Sequence, residues 1–293
     1  MMTEDEWATI GTPGQLPDAF FQAASPRKLR LFIVACCRRL WPHLLPAMRG
    51  VVEVGERYAD GAANDDEAQA ARLAAFPDDY GPREVVIWQP GMWPQYDPRL
   101  VELIIERNGG RPDAIGRLLE IATQRTIEYP NLPIEQIAPD AELIYESLNN
   151  AVDWVAAASG PEGSREELWE LAAGISPDTA AAAALIDTTG SGAEACDSYE
   201  ARVDTELAAQ VPLLRDLFGR PADLISLDRD WLTPVVVGLA RGIYDNWAFD
   251  RLPILADALQ DAGCVDERVL AHCRGPGPHT RGCWVVDWVL SMG

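Results

Sequence analysis

The sequence is poor in lysine, in strand-like alternation and in long hydrophobic runs. Lys28 is the single lysine among 24 basic residues, whereas 46 residues are acidic, and the formal net charge is -22. A surface this acidic repels phosphate backbones and anionic lipid headgroups. Nucleic acid and membranes are therefore poor candidates as partners, and another protein is the better one.

The chain also lacks the segments that direct a protein into or across a membrane. No stretch reaches the roughly 20 apolar residues of a membrane-spanning helix. The first residues, MMTEDEWATIGTPGQLPD, are acidic where a secretory signal is basic. These features predict a cytoplasmic protein, in which the six cysteines are expected to be reduced thiols rather than a disulfide framework.

Apolar residues recur at spacings of three and four in nearly every segment, which is typical of helices. In RKLRLFIVACCRRLW this spacing places five residues on one helical face: Leu29, Phe32, Ile33, Cys36 and Leu40. Only VVIW, at residues 85–88, resembles a short strand. We therefore expect an all-α fold, a multi-helix bundle.

Two segments interrupt the helical pattern. Residues 77–98 are rich in proline and tryptophan, and we expect their aromatic side chains to pack on the body rather than face a partner. Residues 219–233 form the second break, after which Thr233 caps a helix that begins at Pro234. The sequence thus predicts a helical body over 1–218, with an insertion at about 77–140, and a compact helical unit over 219–293 that docks on it.

The C-terminal unit concentrates the side chains that bind soft metals. Four residues can meet at one end of its short helices and fill a tetrahedral zinc site: Cys264, Cys273, His279 and Cys283. His272 is the reserve imidazole, because it precedes Cys273 on a helix and points away from it. A site filled by four protein ligands leaves no position for a reactive water, so the predicted role of the zinc is structural.

The same cysteines allow two other interpretations. The gaps between the four residues are eight, five and three, whereas structural zinc sites usually contain cysteines paired two residues apart. Free cysteines are often small buried hydrophobic residues, so all three thiols can instead belong to the core. A nucleophilic pair of Cys273 or Cys283 with His279 is the third interpretation.

The connecting sequence RGPGPHTRG contains two arginines, Arg274 and Arg281, and leads to the start of a helix at Cys283. Arginines and exposed backbone amides beside a helix N-terminus predict an anion-binding pocket. The alternative is a rigid connector whose arginines pair with nearby acids such as Asp261, Asp266 and Asp287.

A basic segment, residues 27–49, lies inside the acidic chain and contains no acid of its own. It can dock an acidic partner or RNA, but we favour pairing with the acid-rich residues that follow: Glu53, Glu56, Asp60, Asp65, Asp66 and Glu67. The adjacent Cys36 and Cys37 are expected to be core residues.

Sequence motifs near both ends of the chain resemble those of a known protein family. RKLRLFIVACCRRLW and VEVGERYADG near the start, with AFDRLPILADALQDAGC and LAHCRGPGPHTRGCWVVD near the end, resemble a protein family that is abundant in planctomycetes. The resemblance covers residues 27–61 and 212–287 and is poor over 77–140. It implies an intracellular bacterial protein. No activity is assigned to the family, so the resemblance implies no catalytic residue.

These observations favour a non-catalytic interaction or regulatory module, with or without a structural zinc. The alternative is an enzyme that uses the C-terminal Cys/His cluster or the Arg/Gly-rich turn to bind an anion or substrate. The first hypothesis leads because the sequence contains no complete catalytic constellation, such as HExxH on a helix.

Overall fold

A computed structural model describes residues 4–76, 141–160, 165–187, 193–219 and 228–292, together with the single positions 99, 101, 119 and 122. These ranges contain α-helices, short 3-10 turns and no strand, which confirms the all-α prediction. None of the described helices is long and apolar enough to cross a membrane. The predicted strand at 85–88, the aromatic segment 77–98 and nearly all of the insertion at about 77–140 lie outside the described residues.

Twelve α-helices lie within the described ranges. Their bounds are α1 Glu4–Thr9, α2 Asp18–Ala23, α3 Pro26–Arg39, α4 Pro46–Ala59, α5 Asp65–Ala75, α6 Ala141–Ala158, α7 Arg165–Asp187, α8 Ala193–Phe218, α9 Pro234–Asp245, α10 Leu252–Asp261, α11 Glu267–Arg274 and α12 Trp284–Leu290.

Several helices begin where side-chain capping predicts. The Ser25 hydroxyl accepts a backbone N–H of α3, and Thr233 does the same for α9, which begins at Pro234 as predicted. Before α5, Asn64 and Glu67 each accept the other's backbone N–H. These contacts satisfy N–H groups that have no partner inside the helix, so they fix the helix starts.

Helix α3 lies at the centre of the body. It packs against α4, α6, α7 and α8, so it has hardly any solvent-facing side. Besides the predicted face, it buries Leu31, Val34, Ala35 and Cys37. The predicted face is buried, and side chains outside it are buried as well because four other helices enclose α3. Cys36 and Cys37 are fully buried, as expected for core residues.

The buried apolar side chains form two clusters. The first runs from Trp7 to Leu217 and includes α3 and α4 with parts of α6, α7 and α8. The second runs from Val236 to Val289 and is formed by helices α9 to α12. Hereafter the residues up to 219 are called the body and residues 228–292 the C-terminal unit. A domain boundary at residue 219 stays a prediction.

A network of buried charges joins the C-terminal unit to the body. Arg27 contacts Asp287 Oδ2 through Nη1 at 2.7 Å and Asp60 Oδ1 through Nε at 2.9 Å. Tyr244 donates its hydroxyl hydrogen to Asp60 at 2.6 Å. The C-terminal unit thus docks on the body, as predicted. Arg27–Asp60 is also one of the pairings expected between the basic segment and the acids that follow it, and Arg38–Glu56, at 2.9 Å, is another.

Candidate metal centre

Four metal-ligating side chains converge at the junction of the body and the C-terminal unit. Asp216 lies in the last turn of α8, His272 lies on α11, His279 lies in the loop that follows, and Cys283 is the residue that precedes α12. One ligand atom from each residue lies within 4.8 Å of all the others. One residue therefore comes from the body and three come from the C-terminal unit.

The distances are close to those of a tetrahedral site. His279 Nδ1 is 2.6 Å from Asp216 Oδ1, and His272 Nε2 is 3.2 Å from the same oxygen. His272 Nε2 is also 3.2 Å from Cys283 Sγ. Zinc bonds of ordinary length place ligand atoms about 3.3–3.6 Å apart. Every other pair of ligand atoms lies within 4.8 Å, so side-chain shifts on the order of an ångström would let this group surround one ion.

Burial and a backbone contact hold the group in place. Asp216 is 2% exposed and Cys283 is fully buried. The backbone N–H of Thr280 donates to Asp216 Oδ2 at 2.9 Å, which orients the carboxylate while its other oxygen faces the imidazoles. An outer contact of this kind is typical of carboxylates at metal sites.

Gly282 allows the loop to approach the body closely enough for the group to form. Its φ is +87°, a conformation that glycine adopts without steric cost. A Cβ at this position would lie 2.6 Å from Leu217 Cδ2 and 2.8 Å from Leu31 Cδ1. Any other residue would therefore require Leu217 and Leu31, or the loop itself, to shift.

The carboxylate and one imidazole shift each other's pKa. Burial raises the pKa of Asp216, but hydrogen bonds with His272 and His279 outweigh burial and hold it below its ordinary value. Burial lowers the pKa of His279, but the hydrogen bond to Asp216 and its charge raise it by more. Without a metal, the two side chains therefore favour a carboxylate–imidazolium pair.

The thiol of Cys283 is poorly suited to act as a nucleophile. Burial, followed by the charge of Asp216, raises its pKa well above the ordinary value. In addition, Cys283 and Asp216 both approach Nε2 of His272, whereas a catalytic triad needs the acid on the other ring nitrogen. Four donor atoms close to one another are instead the arrangement that a metal ion requires, and the group can hold one.

The sequence-predicted ligands divide between the centre and the core. The centre contains His279, Cys283 and the reserve imidazole His272, but not Cys264 or Cys273. The two thiols are buried in the second apolar cluster. Burial raises the pKa of Cys273 to about 12. His272 and Cys273 point in different directions on α11, as predicted, but Cys273 faces the core and His272 faces Asp216, so the imidazole rather than the thiol belongs to the centre.

Asp216 was missed by the sequence analysis, although a signal for it exists. Leu213, Asp216 and Leu217 follow at a spacing of three and four, so they share one face of α8. An acid among leucines on a buried face requires a partner, because an unpaired buried carboxylate is costly. Only the fold reveals that the partners are two histidines over 50 positions away in sequence.

The two predicted anion-binding arginines contact different acids. Arg274 pairs with Asp257 at 2.7 Å. Arg281 pairs with Asp60 at 3.2 Å, and its guanidinium lies 4.9 Å from the ring centre of Tyr244. These contacts agree with a connector whose arginines pair with nearby acids, although the acids differ from those expected. Anion binding at this loop stays a prediction.

Comparison with known proteins gave no relative: no family model, no curated protein and no solved structure matches this chain.

Proposed function

We propose that this chain is a non-catalytic interaction or regulatory module of the bacterial cytoplasm. In this proposal one structural zinc ion, bound by Asp216, His272, His279 and Cys283, holds the C-terminal unit on the body. One observation carries the proposal: the four ligating side chains come from both parts of the chain. Helix α8 of the body supplies one and the C-terminal unit supplies three.

The identity of the metal is argued from the donors. Two imidazole nitrogens, one thiolate and one carboxylate oxygen are all ordinary zinc ligands. Magnesium and calcium prefer sites made of oxygen atoms, so a site with sulfur and nitrogen disfavours them. Zinc would also displace the proton that burial keeps on Cys283, because metal binding requires the thiolate.

A structural role follows from the number of protein donors and from their burial. Four donors fill a tetrahedral zinc site and leave no position for a reactive water. Asp216 and Cys283 are both buried, so neither is available to a substrate. The ion would therefore act as a cross-link between two parts of the chain, which stabilises the folded state.

The interaction role is supported by apolar side chains on the C-terminal unit. Five large hydrophobic residues are exposed in the described ranges, and four lie in this unit: Val235, Trp247, Ile254 and Val265. Val265 has an exposed fraction of 82%. Exposed apolar groups are the usual contacts of protein partners, and the net charge of -22 favours a protein over nucleic acid.

The cytoplasmic location is supported by the cysteines. Buried free thiols at Cys36, Cys37, Cys264, Cys273 and Cys283 agree with a reducing compartment.

Metal analysis of the purified full chain tests the proposal. We expect about one zinc ion per chain, and a lower melting temperature after treatment with a strong chelator. Cys283→Ser and His279→Gln should lose the zinc. Cys264→Ser is the matched control, because it removes a buried thiol outside the centre and should keep the metal. Zinc-free protein that melts at the same temperature with and without chelator would contradict the proposal.

A further inference from the structure

A cavity of about 490 Å³ opens at the junction of the body and the C-terminal unit. The body lines it with the end of α2, the start of α3 and the end of α8, and the C-terminal unit lines it with α12 and residues that precede α9. The volume lies within the range of sites that hold small molecules, which is about 300–1,000 Å³. None of the four candidate metal ligands is among the described residues that line it, so the cavity is a separate candidate site.

Much of the wall is apolar, and a ligand can reach part of it. Four large apolar residues of the lining are only partly buried: Phe218, Leu232, Trp288 and Met292. Neighbouring rings hold the two aromatic ones in place. The ring centres of Phe218 and Phe20 are 5.1 Å apart, and those of Trp288 and Trp231 are 6.2 Å apart. The cavity therefore offers a fixed apolar surface that a ligand can cover.

Three charged side chains are among the described residues that line the cavity, and two of them are already paired. Lys28 Nζ lies 2.5 Å from Asp287 Oδ2 and also donates to the carbonyl of Leu217 at 2.8 Å. The third, Arg229, is exposed and has no ion pair or side-chain hydrogen bond with the described residues. Its guanidinium is therefore left for a ligand.

The charge of this lining favours an anionic group on the ligand. It contains two cations and one acid, so it is locally positive in an acidic protein. A guanidinium such as that of Arg229 suits a carboxylate, because its parallel N–H groups match the two carboxylate oxygens. The paired Lys28 and Asp287 need no further partner, so the rest of the ligand can be purely apolar.

We propose that this cavity binds a fatty acid of medium chain length. The alkyl chain packs against Phe218, Leu232 and Trp288, and the carboxylate pairs with Arg229 at the surface. Met292 completes the apolar wall, where its flexible thioether chain adapts to an alkyl chain. Both parts of the chain line the cavity, so a bound fatty acid would also hold them together.

Calorimetric titration of the full chain tests this inference. The probes are octanoate and decanoate, with 1-octanol as the neutral control and octylamine as the control of opposite charge. Decanoate should bind about tenfold more tightly than octanoate, because each additional buried methylene contributes about a factor of four. Octanoate should bind about fivefold more tightly than 1-octanol, as expected of an ion pair that solvent can reach. Octylamine should bind more weakly than either.

Single variants locate the site. Arg229→Gln changes an exposed side chain and should abolish the preference for octanoate over 1-octanol, with 1-octanol binding unchanged. Met292→Asp places a charge against the alkyl chain and should weaken both fatty acids. Arg241→Gln is the matched control, since Arg241 is exposed on α9 and is not among the residues that line the cavity.

Three results would overturn the inference: no binding of either fatty acid, equal binding of octanoate and octylamine, or an unchanged preference for octanoate in Arg229→Gln. Saturable binding of a single fatty acid molecule per chain, with the preference lost in Arg229→Gln alone of the two arginine variants, would support it. Zinc content is measured in the same samples, and zinc-free protein that still binds decanoate would contradict only the zinc proposal.

Discussion

Glu56 and Asp216 are both buried carboxylates, yet their pKa values shift in opposite directions. Burial raises the pKa of Glu56, and the charges of Arg38 and Arg281 only partly offset it. Its Oε1 has no hydrogen-bond partner among the described residues. Asp216 has contacts on both oxygens, and its pKa is lowered. The difference shows that partners, rather than burial alone, decide the charge state of a buried acid.

This contrast predicts a pH effect of Glu56→Gln. The folded-state pKa of Glu56 lies above its unfolded value, so the folded chain holds the extra proton between the two. The contribution of Glu56 to stability is therefore greatest at acidic pH and falls as pH rises through the folded-state pKa. Urea unfolding between pH 4.5 and 7 should show the wild type losing stability relative to the variant as pH rises.

Glu53→Gln is the control for that experiment. Glu53 lies on the same helix but is exposed, so its removal should leave the pH profile of the wild type nearly unchanged. A wild type that instead gains stability relative to Glu56→Gln as pH rises would contradict the charge state assigned to Glu56.

Two glycine substitutions should have opposite effects on stability. Gly282→Ala places a methyl group against Leu217 and Leu31 at a φ of +87°, and strain of this kind costs about 1–3 kcal/mol. Gly238 lies inside α9 with nothing within 4 Å of a built Cβ, so Gly238→Ala should stabilise by about 0.5–1 kcal/mol. Thermal unfolding measures both changes. A neutral Gly282→Ala would contradict the strain assigned to a side chain at this position.

At the scale of elements, charged groups link α12 to α3 and to the end of α4, in addition to the apolar packing of α3 on α4. Arg27 on α3 links Asp60, which follows α4, with Asp287 on α12. The side chains of the two acids are 8% and 4% exposed. Charged groups so little exposed are costly to leave unpaired, so each end of this link depends on the other.

Arg27→Met should therefore destabilise the chain. Loss of a hydrogen bond to a charged group costs about 1.5–3 kcal/mol, while Lys28 stays beside Asp287 and Arg281 stays beside Asp60, so neither acid is left without a cation. Arg57→Met is the control, since Arg57 and Glu67 form a pair in which both side chains are more than 40% exposed. That change should cost about 0–1 kcal/mol. Urea unfolding compares the two variants, and equal losses would argue against the buried link.

At the scale of the whole molecule, the sequence predicts those features that depend on residues close together along the chain. The helical class, the cap at Thr233 and the burial of Cys36 follow from periodicity and side-chain chemistry. The enclosure of α3 by four helices does not, because periodicity carries no information about how many neighbours a helix has. For the same reason, only part of the candidate site could be predicted from the sequence. His279 and Cys283 are close in sequence, whereas Asp216 joins them only through the fold.

The central claim is that Asp216, His272, His279 and Cys283 hold one zinc ion across the junction of the body and the C-terminal unit. X-ray absorption spectroscopy of the zinc-loaded full chain tests it most directly, because it counts sulfur ligands at about 2.3 Å separately from nitrogen and oxygen ligands at about 2.0–2.2 Å. The account predicts one sulfur and three nitrogen or oxygen ligands, and no sulfur ligand in Cys283→Ser. Three sulfur ligands, as the set of Cys264, Cys273, His279 and Cys283 would give, or none, would contradict it.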